Sequence, residues 1–124
     1  MKYQARICDI GAEALDFLIE DSCNFLIIFN ETAPPELAEI AVLQEKAELK
    51  AKPIKGDIVE ICGNKYTITD VGYEAINTLK ELGHCTLSFN GLDKVQRPGM
   101  IELQGEKLKP ETIKINEYIK IYSK

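Results

Sequence analysis

His84 is the only histidine of this 124-residue chain, and it directly follows Gly83. A neutral imidazole can act as a nucleophile or a proton carrier near pH 7, which makes His84 the first candidate for chemistry. The same ring could instead cap the carbonyl groups of a helix that ends at Gly83. Cys85 is its neighbour in sequence, but successive residues of a strand point to opposite faces, so no Cys/His dyad is expected. The residues alone leave a chemical and a structural role open for His84.

Arg97 is the second candidate, because it lies in a polar loop, residues 93–99, that closes with Pro98 and Gly99. A guanidinium group there could bind a phosphoryl group with its fork of donors, or it could belong to a solvated turn. No glycine-rich phosphate loop is present, and the carboxylates form no recognisable acid/base pattern.

The four cysteines are scattered without a C-x-x-C pair, at Cys8, Cys23, Cys62 and Cys85. Neither a zinc site nor a redox dithiol is indicated, and we expect small, buried, reduced thiols and no cofactor. The formal net charge of −5 argues against a nucleic-acid partner, whose phosphates need a basic face. No signal core and no membrane-length apolar run is present, so the sequence predicts a cytoplasmic protein without direct membrane insertion.

Two stretches that start sixty-one residues apart, Ile7–Leu15 and Ile68–Ile76, are identical at five of nine positions. Further similar segments recur at a spacing of sixty residues, including Asp57–Ile61 and Glu117–Ile121. Halves of this length would be marginal alone, whereas the whole chain can close one core. We therefore predict a single domain, residues 1–124, built from duplicated halves of approximately 1–61 and 62–124. The repeated Gly11 and Gly72 are expected at equivalent turns where a side chain is disfavoured.

Short runs of β-branched and aromatic residues predict strands, and Gly63-Asn64 predicts a hairpin turn between two of them. Apolar spacing predicts two short helices, one around residues 14–18 and one from residue 75 to a cap at Gly83. Pro34 and Pro35 could start one more helical turn. The predicted fold is mainly β, a small barrel-like domain with internal duplication and two short helices.

Several motifs give the chain a family resemblance. They are Glu81-Leu82-Gly83-His84, Thr86-Leu87 with Phe89 and Gly91-Leu92, Pro98-Gly99, Ala33-Pro34 with Leu37 and Glu39, and Glu48-Leu49-Lys50. In this order, and over essentially the whole chain, they resemble the glucitol/sorbitol-specific IIA component of the bacterial phosphoenolpyruvate-dependent sugar phosphotransferase system. The resemblance implies a barrel-like duplicated fold. It also implies a phosphoryl group taken from the phosphocarrier protein HPr and passed to the IIB component of a IIB/IIC permease that phosphorylates an incoming hexitol.

The chain departs from that family at the position where the resemblance places the phosphoryl-accepting histidine, which is Gln44 here. A second family histidine, two residues later, is replaced by Lys46. A glutamine amide nitrogen has its lone pair delocalised into the carbonyl, so it is not a useful nucleophile. Lys46 could hold an anion as a point charge without accepting a phosphoryl group.

Three hypotheses follow from the sequence. In the first hypothesis the chain is a phosphocarrier that uses His84 with help from Arg97. Gln44 and Lys46 then serve as phosphoryl-binding or docking residues. Alternatively, the chain is a binding or regulatory paralogue that keeps the docking surface without the transfer chemistry. In the third hypothesis it is an accessory subunit that packs against a larger transporter component. Fold and family do not decide between an enzymatic and a non-enzymatic role.

Overall fold

The computed structural model describes all 124 residues and is built mainly of strands. Eight strands are joined by three short α-helices and one 3₁₀ turn, in the order β1 (Tyr3–Ile10), α1 (Asp16–Ile19), β2 (Phe25–Asn30), α2 (Pro35–Ala38), β3 (Val42–Gln44), β4 (Ile58–Ile61), β5 (Asn64–Val71), α3 (Tyr73–Leu82), β6 (Cys85–Ser88), β7 (Met100–Gln104), the 3₁₀ turn (Pro110–Thr112) and β8 (Tyr118–Tyr122). The strands close a barrel in the order β1-β3-β2-β6-β7-β5-β4-β8. The predicted mainly β, barrel-like fold is confirmed.

Two of the eight strand pairs are parallel, β2 with β3 and β6 with β7, and the other six are antiparallel. A parallel pair needs a crossover connection, because the chain must return to the end of the sheet from which it came. The first crossover contains α2, and the second is the loop between β6 and β7 that carries Arg97. This topology brings the end of that loop next to the start of β6, where Thr86 donates its backbone N–H to the Gly99 carbonyl at 3.1 Å.

Alternate residues of the strands fill the barrel. On β1, Tyr3, Ala5 and Ile7 are at most 2% exposed, and Ile119 and Ile121 of the neighbouring β8 are equally buried. Side chains of a strand alternate between its two faces, so these residues form the inner face. Together with buried residues of the helices and connecting segments, the inner face forms one core of 23 buried residues to which both ends of the chain contribute.

The hairpin between β4 and β5 is present, but its turn is one residue earlier than predicted. Ile61 pairs with Asn64, so Cys62 and Gly63 are the two turn residues, at φ 48° and φ 85°. A two-residue hairpin that follows the right-handed twist of its strands needs positive φ at both positions. Gly63 meets this need at no cost, and Cys62 is held there by the strand pair. Asn64 therefore begins β5 and is not part of the turn.

The structure has three α-helices where the predicted fold had two. The additional helix is α2, the turn that Pro35 starts. In the first half, α1 spans only Asp16–Ile19, shorter than its counterpart α3, which spans ten residues. Gly83 ends α3 at φ 64°, which confirms the predicted glycine cap.

The strand pairing of the second half repeats that of the first. Each half contributes a first strand that pairs with the fourth strand of the other half: Tyr3 opposes Ile121, and Asn64 opposes Ile61. In both halves the first strand has a bulge in the same place, between Ile7 and Asp9 on β1 and between Ile68 and Asp70 on β5.

The spacing between equivalent residues is not constant along the chain. Ile10 opposes Val42 and Val71 opposes Ile101, so β3 and β7 correspond at a spacing of 59 residues and not 60. The sequence similarity between Leu43-Gln44 and Leu103-Gln104 therefore does not correspond to equivalent register positions in the barrel.

Candidate functional site

His84 lies at the junction of α3 and β6, and the helix end fixes its backbone. Gly83 donates its backbone N–H to the Leu79 carbonyl at 3.0 Å, and His84 donates to the Thr78 carbonyl at 3.1 Å. Such a pair of bonds closes a helix end when the capping residue takes the left-handed conformation. The chain then turns directly into β6 at Cys85.

The His84 imidazole is half-buried and has two neighbours on β2. Its Nδ1 lies 3.3 Å from the Ile28 carbonyl oxygen, and its ring centroid lies 4.5 Å from that of Phe29. A carbonyl oxygen can only accept a hydrogen bond, so this contact requires the proton on Nδ1. In the neutral ring the lone pair is then on Nε2, which makes Nε2 the nucleophilic atom.

His84 and Arg97 line the same cavity, of about 300 Å³. Its other lining residues are Glu74, Thr78, Thr86, Pro98, Gly99 and Met100. Arg97 takes part in none of the four ion pairs of the structure, so its guanidinium has no carboxylate partner. It also borders a neighbouring cavity of about 370 Å³ that shares Thr86 and Met100. The cavity thus combines an imidazole, an unpaired guanidinium and threonine side chains.

The loop that carries Arg97 is held by polar side chains of β5 and β7. Asp70 accepts the backbone N–H of Val95 at 2.8 Å, and Thr69 donates its hydroxyl to the Leu92 carbonyl at 2.6 Å. At the start of the loop, Glu102 accepts the backbone N–H of Asn90 at 3.1 Å. At its end, the Pro98 carbonyl accepts the backbone N–H groups of Glu74 and Ala75 on α3. The loop is therefore tied to the barrel along its length.

Sequence reasoning did not identify Thr69, Asp70 or Glu102 as part of this site. Asp70 carried a signal, because it belongs to the repeated motif together with Gly72. Glu102 carried none, since a glutamate on a short predicted strand is expected on the solvent side. It is fully buried here, with one carboxylate oxygen bound by Ser88 and Asn90 and the other without a partner.

The Gln44 side chain is fully buried. Its Nε2 donates to the Gly83 carbonyl at 2.7 Å and to the Tyr3 hydroxyl at 3.3 Å, while its Oε1 has no partner. Gln44 therefore contacts the residue before His84 from inside the protein. The structure gives its side chain no path to a phosphoryl donor.

Lys46 is exposed and belongs to a different cavity, of about 440 Å³, with Tyr3, Gln4, Glu48 and Lys50 among its lining residues. The four candidate residues are thus separated into three places. His84 and Arg97 share a cavity, Gln44 supports the peptide before His84, and Lys46 lies at another surface.

None of the four thiols lines the His84 cavity, although Cys23 borders the neighbouring one. The expectation of buried thiols is right for Cys85 alone, since the other three are partly exposed. Cys85 is buried in the core, where burial raises its pKa to about 12, so it stays protonated next to His84. Cys8 is half-exposed, and desolvation together with the nearby Glu31 raises its pKa to about 11. No group of three or more His, Cys, Asp or Glu side chains has an arrangement suited to a metal ion. None of the helices is long and apolar enough to cross a membrane.

Comparisons with known proteins agree on one family. The family model described as "PTS system glucitol/sorbitol-specific IIA component" matches residues 2–120. The chain is 39% identical over 103 residues to the glucitol/sorbitol-specific EIIA component of Escherichia coli strain K12, which covers 83% of this chain and 81% of the relative. The corresponding protein of Shigella flexneri shows the same identity and coverage.

A solved structure shares the fold of this chain. The crystal structure of a PTS system IIA component from Enterococcus faecalis V583 superposes with a TM-score of 0.77 at 30% identity, covering 96% of this chain and 98% of that one. A family match over nearly the whole chain and a shared barrel lead to the same conclusion. The chain belongs to the family of PTS glucitol/sorbitol-specific IIA components.

Proposed function

We propose that this protein is a phosphoryl carrier that accepts the group on Nε2 of His84. The observation that carries the proposal is the shared cavity of His84 and the unpaired Arg97. Bonding of Nδ1 to the Ile28 carbonyl leaves the lone pair on Nε2, and Phe29 holds the ring plane. No other imidazole exists in the chain. Family membership supports the reaction class, and this geometry supports an acceptor atom other than the one that the resemblance implies.

The transfer step follows from these positions. Nε2 of His84 attacks the phosphorus of a phosphohistidine, a new N–P bond forms, and the donor's N–P bond breaks. The donor's ring nitrogen keeps the electron pair, and the donor leaves as a neutral imidazole because its other nitrogen carries a proton. The His84 ring keeps its Nδ1 proton and becomes a phosphoimidazolium, so atoms, electrons and charge balance without a redox partner. The Arg97 guanidinium stabilises the negative oxygens of the transferred group, since two parallel N–H donors match adjacent phosphoryl oxygens.

The partners follow from the family to which the chain belongs. We propose HPr as the phosphoryl donor and the IIB component of a IIB/IIC permease as the acceptor, with the relay taking place in the cytoplasm during hexitol uptake. In this proposal Lys46 contributes to docking from its separate surface, because an exposed ammonium group can attract an anionic partner at a distance. Gln44 has no docking role in this proposal, because its side chain is fully buried.

A non-phosphorylatable binding or regulatory paralogue is the second candidate. The observation in its favour is the composition of the His84 cavity, which also includes the carboxylate-bearing Glu74. A carboxylate disfavours an incoming phosphoryl group by like-charge repulsion. In this alternative His84 only supports the helix end, and the protein binds its partner without accepting phosphate.

We also propose that the single domain arose by duplication of a unit of about sixty residues, with halves near 1–61 and 62–124. The repeated motif, the shared strand register and the two matching bulges support it. Neither half can close the barrel alone, because β4 and β8 each pair with the first strand of the other half.

Incubation with phosphoenolpyruvate, enzyme I and HPr, followed by intact mass, tests the carrier proposal. We expect the wild type to gain one acid-labile phosphoryl group and His84→Ala to gain none. Acid-labile phosphate that persists in His84→Ala would contradict the assignment. A wild type that binds HPr but stays unphosphorylated would establish the regulatory alternative.

The contribution of Arg97 is tested with Arg97→Gln. Removing a donor that stabilises developing charge typically slows the reaction by roughly a hundredfold to a thousandfold, and we expect a loss in this range. Lys94→Gln is the matched control, since it removes a positive charge from the same loop but does not line the His84 cavity. Equal losses in the two variants would show that only the net charge of the loop matters.

A Gln44→His variant made in the His84→Ala background tests whether position 44 can still act as an acceptor. The position has no solvent exposure, so we expect no phosphorylation of this double variant. Phosphorylation at residue 44 would show that the barrel opens there during docking.

A further inference from the structure

We propose that Gln44, which the resemblance places at the family's acceptor position, is the positioning residue for His84. It acts from inside the barrel through the Gly83 carbonyl and touches neither phosphoryl group nor partner. The positioning claim stands on geometry alone. Only its transfer readout rests on the proposed function.

The peptide group between Gly83 and His84 is hydrogen-bonded at both ends. Its oxygen accepts from Gln44 Nε2 at 2.7 Å, and its N–H donates to the Thr78 carbonyl at 3.1 Å. The two atoms belong to one planar unit, so bonds at both ends fix the orientation of that plane. The plane in turn sets the direction in which the His84 side chain leaves the backbone.

The Gln44 amide can bind in only one orientation. Its nitrogen carries two protons, and both have acceptors, the Gly83 carbonyl and the Tyr3 hydroxyl. Rotation of the amide by half a turn would place Oε1 against the Gly83 oxygen, where two acceptors would repel. The buried site therefore holds the donor toward Gly83.

Gly83 permits this contact because it has no side chain. A Cβ atom at this position would overlap Asn30 Oδ1 and would lie 2.9 Å from Gln44 Nε2. Only a residue without a side chain lets β2 and β3 approach the helix end so closely. The contact also depends on β3 being parallel to β2, since Asn30 and Gln44 are register partners.

Loss of the amide donor would leave the Gly83 carbonyl without its partner in a buried place. An unsatisfied buried carbonyl is costly, so the peptide would rotate toward another donor. That rotation would move the imidazole away from the Ile28 carbonyl. Nδ1 would then lose the contact that keeps the lone pair on Nε2.

Gln44→Met tests whether the amide donor fixes the Gly83–His84 peptide, because methionine keeps a similar volume and lacks the donor. Tyr3→Phe is the matched control, since it removes the weaker contact of the same amide and leaves the one to Gly83. His84 is the only histidine, so ¹⁵N NMR of the imidazole at pH 9 reports its tautomer without ambiguity. We expect the Nδ1–H form to dominate in wild type and Tyr3→Phe, and to fall at least twofold in Gln44→Met.

Phosphorylation by phospho-HPr gives the second readout. One lost hydrogen bond corresponds to roughly a twofold to tenfold change in rate, and we expect a decrease of this size in Gln44→Met alone. An unchanged tautomer ratio in a folded Gln44→Met would overturn the positioning role. If wild type is not phosphorylated, the proposed function fails and the tautomer comparison still decides the role of Gln44.

If Gln44→Met does not fold, the wild type itself provides the test. A scalar coupling across the hydrogen bond between Gln44 Nε2 and the Gly83 carbonyl carbon is expected. Its absence, together with rapid exchange of the Gln44 side-chain amide protons, would overturn the proposal.

Discussion

Gly11 and Gly72 each lie against a backbone carbonyl group of the crossover that follows. A Cβ atom at Gly11 would overlap the Ala38 oxygen, and one at Gly72 would overlap the Pro98 oxygen. Neither glycine has a positive φ, so it is the close approach, and not a special dihedral, that requires glycine. At Gly72 the approach brings the Arg97 loop onto the start of α3.

Gly72→Ala is expected to destabilise the protein by about 1–3 kcal/mol, because overlap with backbone cannot be relieved by a side-chain rotation. Gly99→Ala is the control in the same loop, since a Cβ there has nothing within 4 Å. Thermal unfolding checks both variants. An unchanged midpoint in Gly72→Ala would show that the loop and helix separate at no cost.

Three buried ionisable groups of the core, Tyr3, Tyr66 and Cys85, make stability depend on alkaline pH. Burial raises the pKa of Tyr3 and that of Tyr66 from 10.0 to about 12, and that of Cys85 from 9.0 to about 12. Between these values the unfolded chain has lost protons that the folded chain keeps, so the free energy of unfolding falls as pH rises.

We therefore expect stability that is level near pH 8 and declines from about pH 9 to pH 12. Chemical denaturation at a series of pH values measures the decline. The double variant Tyr3→Phe/Cys85→Ala should be less stable near pH 8 and should show a shallower decline. A decline of equal slope in wild type and double variant would assign the effect to other groups.

At the scale of elements, the loop between β6 and β7 determines where Arg97 lies. Asp70 holds its middle through the Val95 amide. The equivalent residue on β1, Asp9, instead accepts from the N–H of its neighbour Ile10 at 2.8 Å and holds no loop. The aspartates at corresponding positions of β1 and β5 thus make different hydrogen bonds.

Asp70→Ala should increase hydrogen exchange at the Val95 amide by about tenfold, because that amide loses its hydrogen-bond acceptor and the middle of the loop opens more easily. Transfer from phospho-HPr should slow as Arg97 becomes less well placed. Asp9→Ala is the control and should leave both the loop and the transfer unchanged. Val95 exchange that is the same in both variants would mean that other contacts hold the loop.

The elements that could be predicted from the sequence are those with local signals. The strands, the glycine cap at Gly83 and a hairpin near residue 63 follow from β-branched residues and turn chemistry close in the chain. The exact turn pair could not be predicted, because Cys62 takes a positive φ only under the constraint of the Ile61–Asn64 pair. His84 and Arg97 line one cavity because β6 and β7 are parallel and joined by a crossover loop. No local sequence pattern predicts this arrangement.

At the scale of the whole molecule, β8 closes the barrel. It lies between β1 and β4, and its Ile119 and Ile121 are at most 1% exposed. A sheet opened there would have two unpaired edges and a gap in its core. The same closure explains why the burial of Gln44 was not predictable: its short strand, which lies between β1 and β2, is buried at every position.

Removal of residues 117–124 should therefore abolish cooperative unfolding, because it deletes two fully buried core side chains and a strand paired on both sides from a domain whose usual stability is only about 5–15 kcal/mol. Removal of the exposed Ser123 and Lys124 alone should leave the thermal midpoint unchanged. Circular dichroism during heating distinguishes the two. A cooperative transition in the longer truncation would show that seven strands suffice.

In the proposed function, Nε2 of His84 is the phosphoryl acceptor. The most direct measurement is NMR of ¹⁵N-labelled protein phosphorylated by phosphoenolpyruvate, enzyme I and HPr, in which the phosphorus couples to one ring nitrogen. We expect a single coupled imidazole, with the phosphorus on Nε2 and a proton on Nδ1. Phosphorus on Nδ1, or on any residue other than His84, would contradict it.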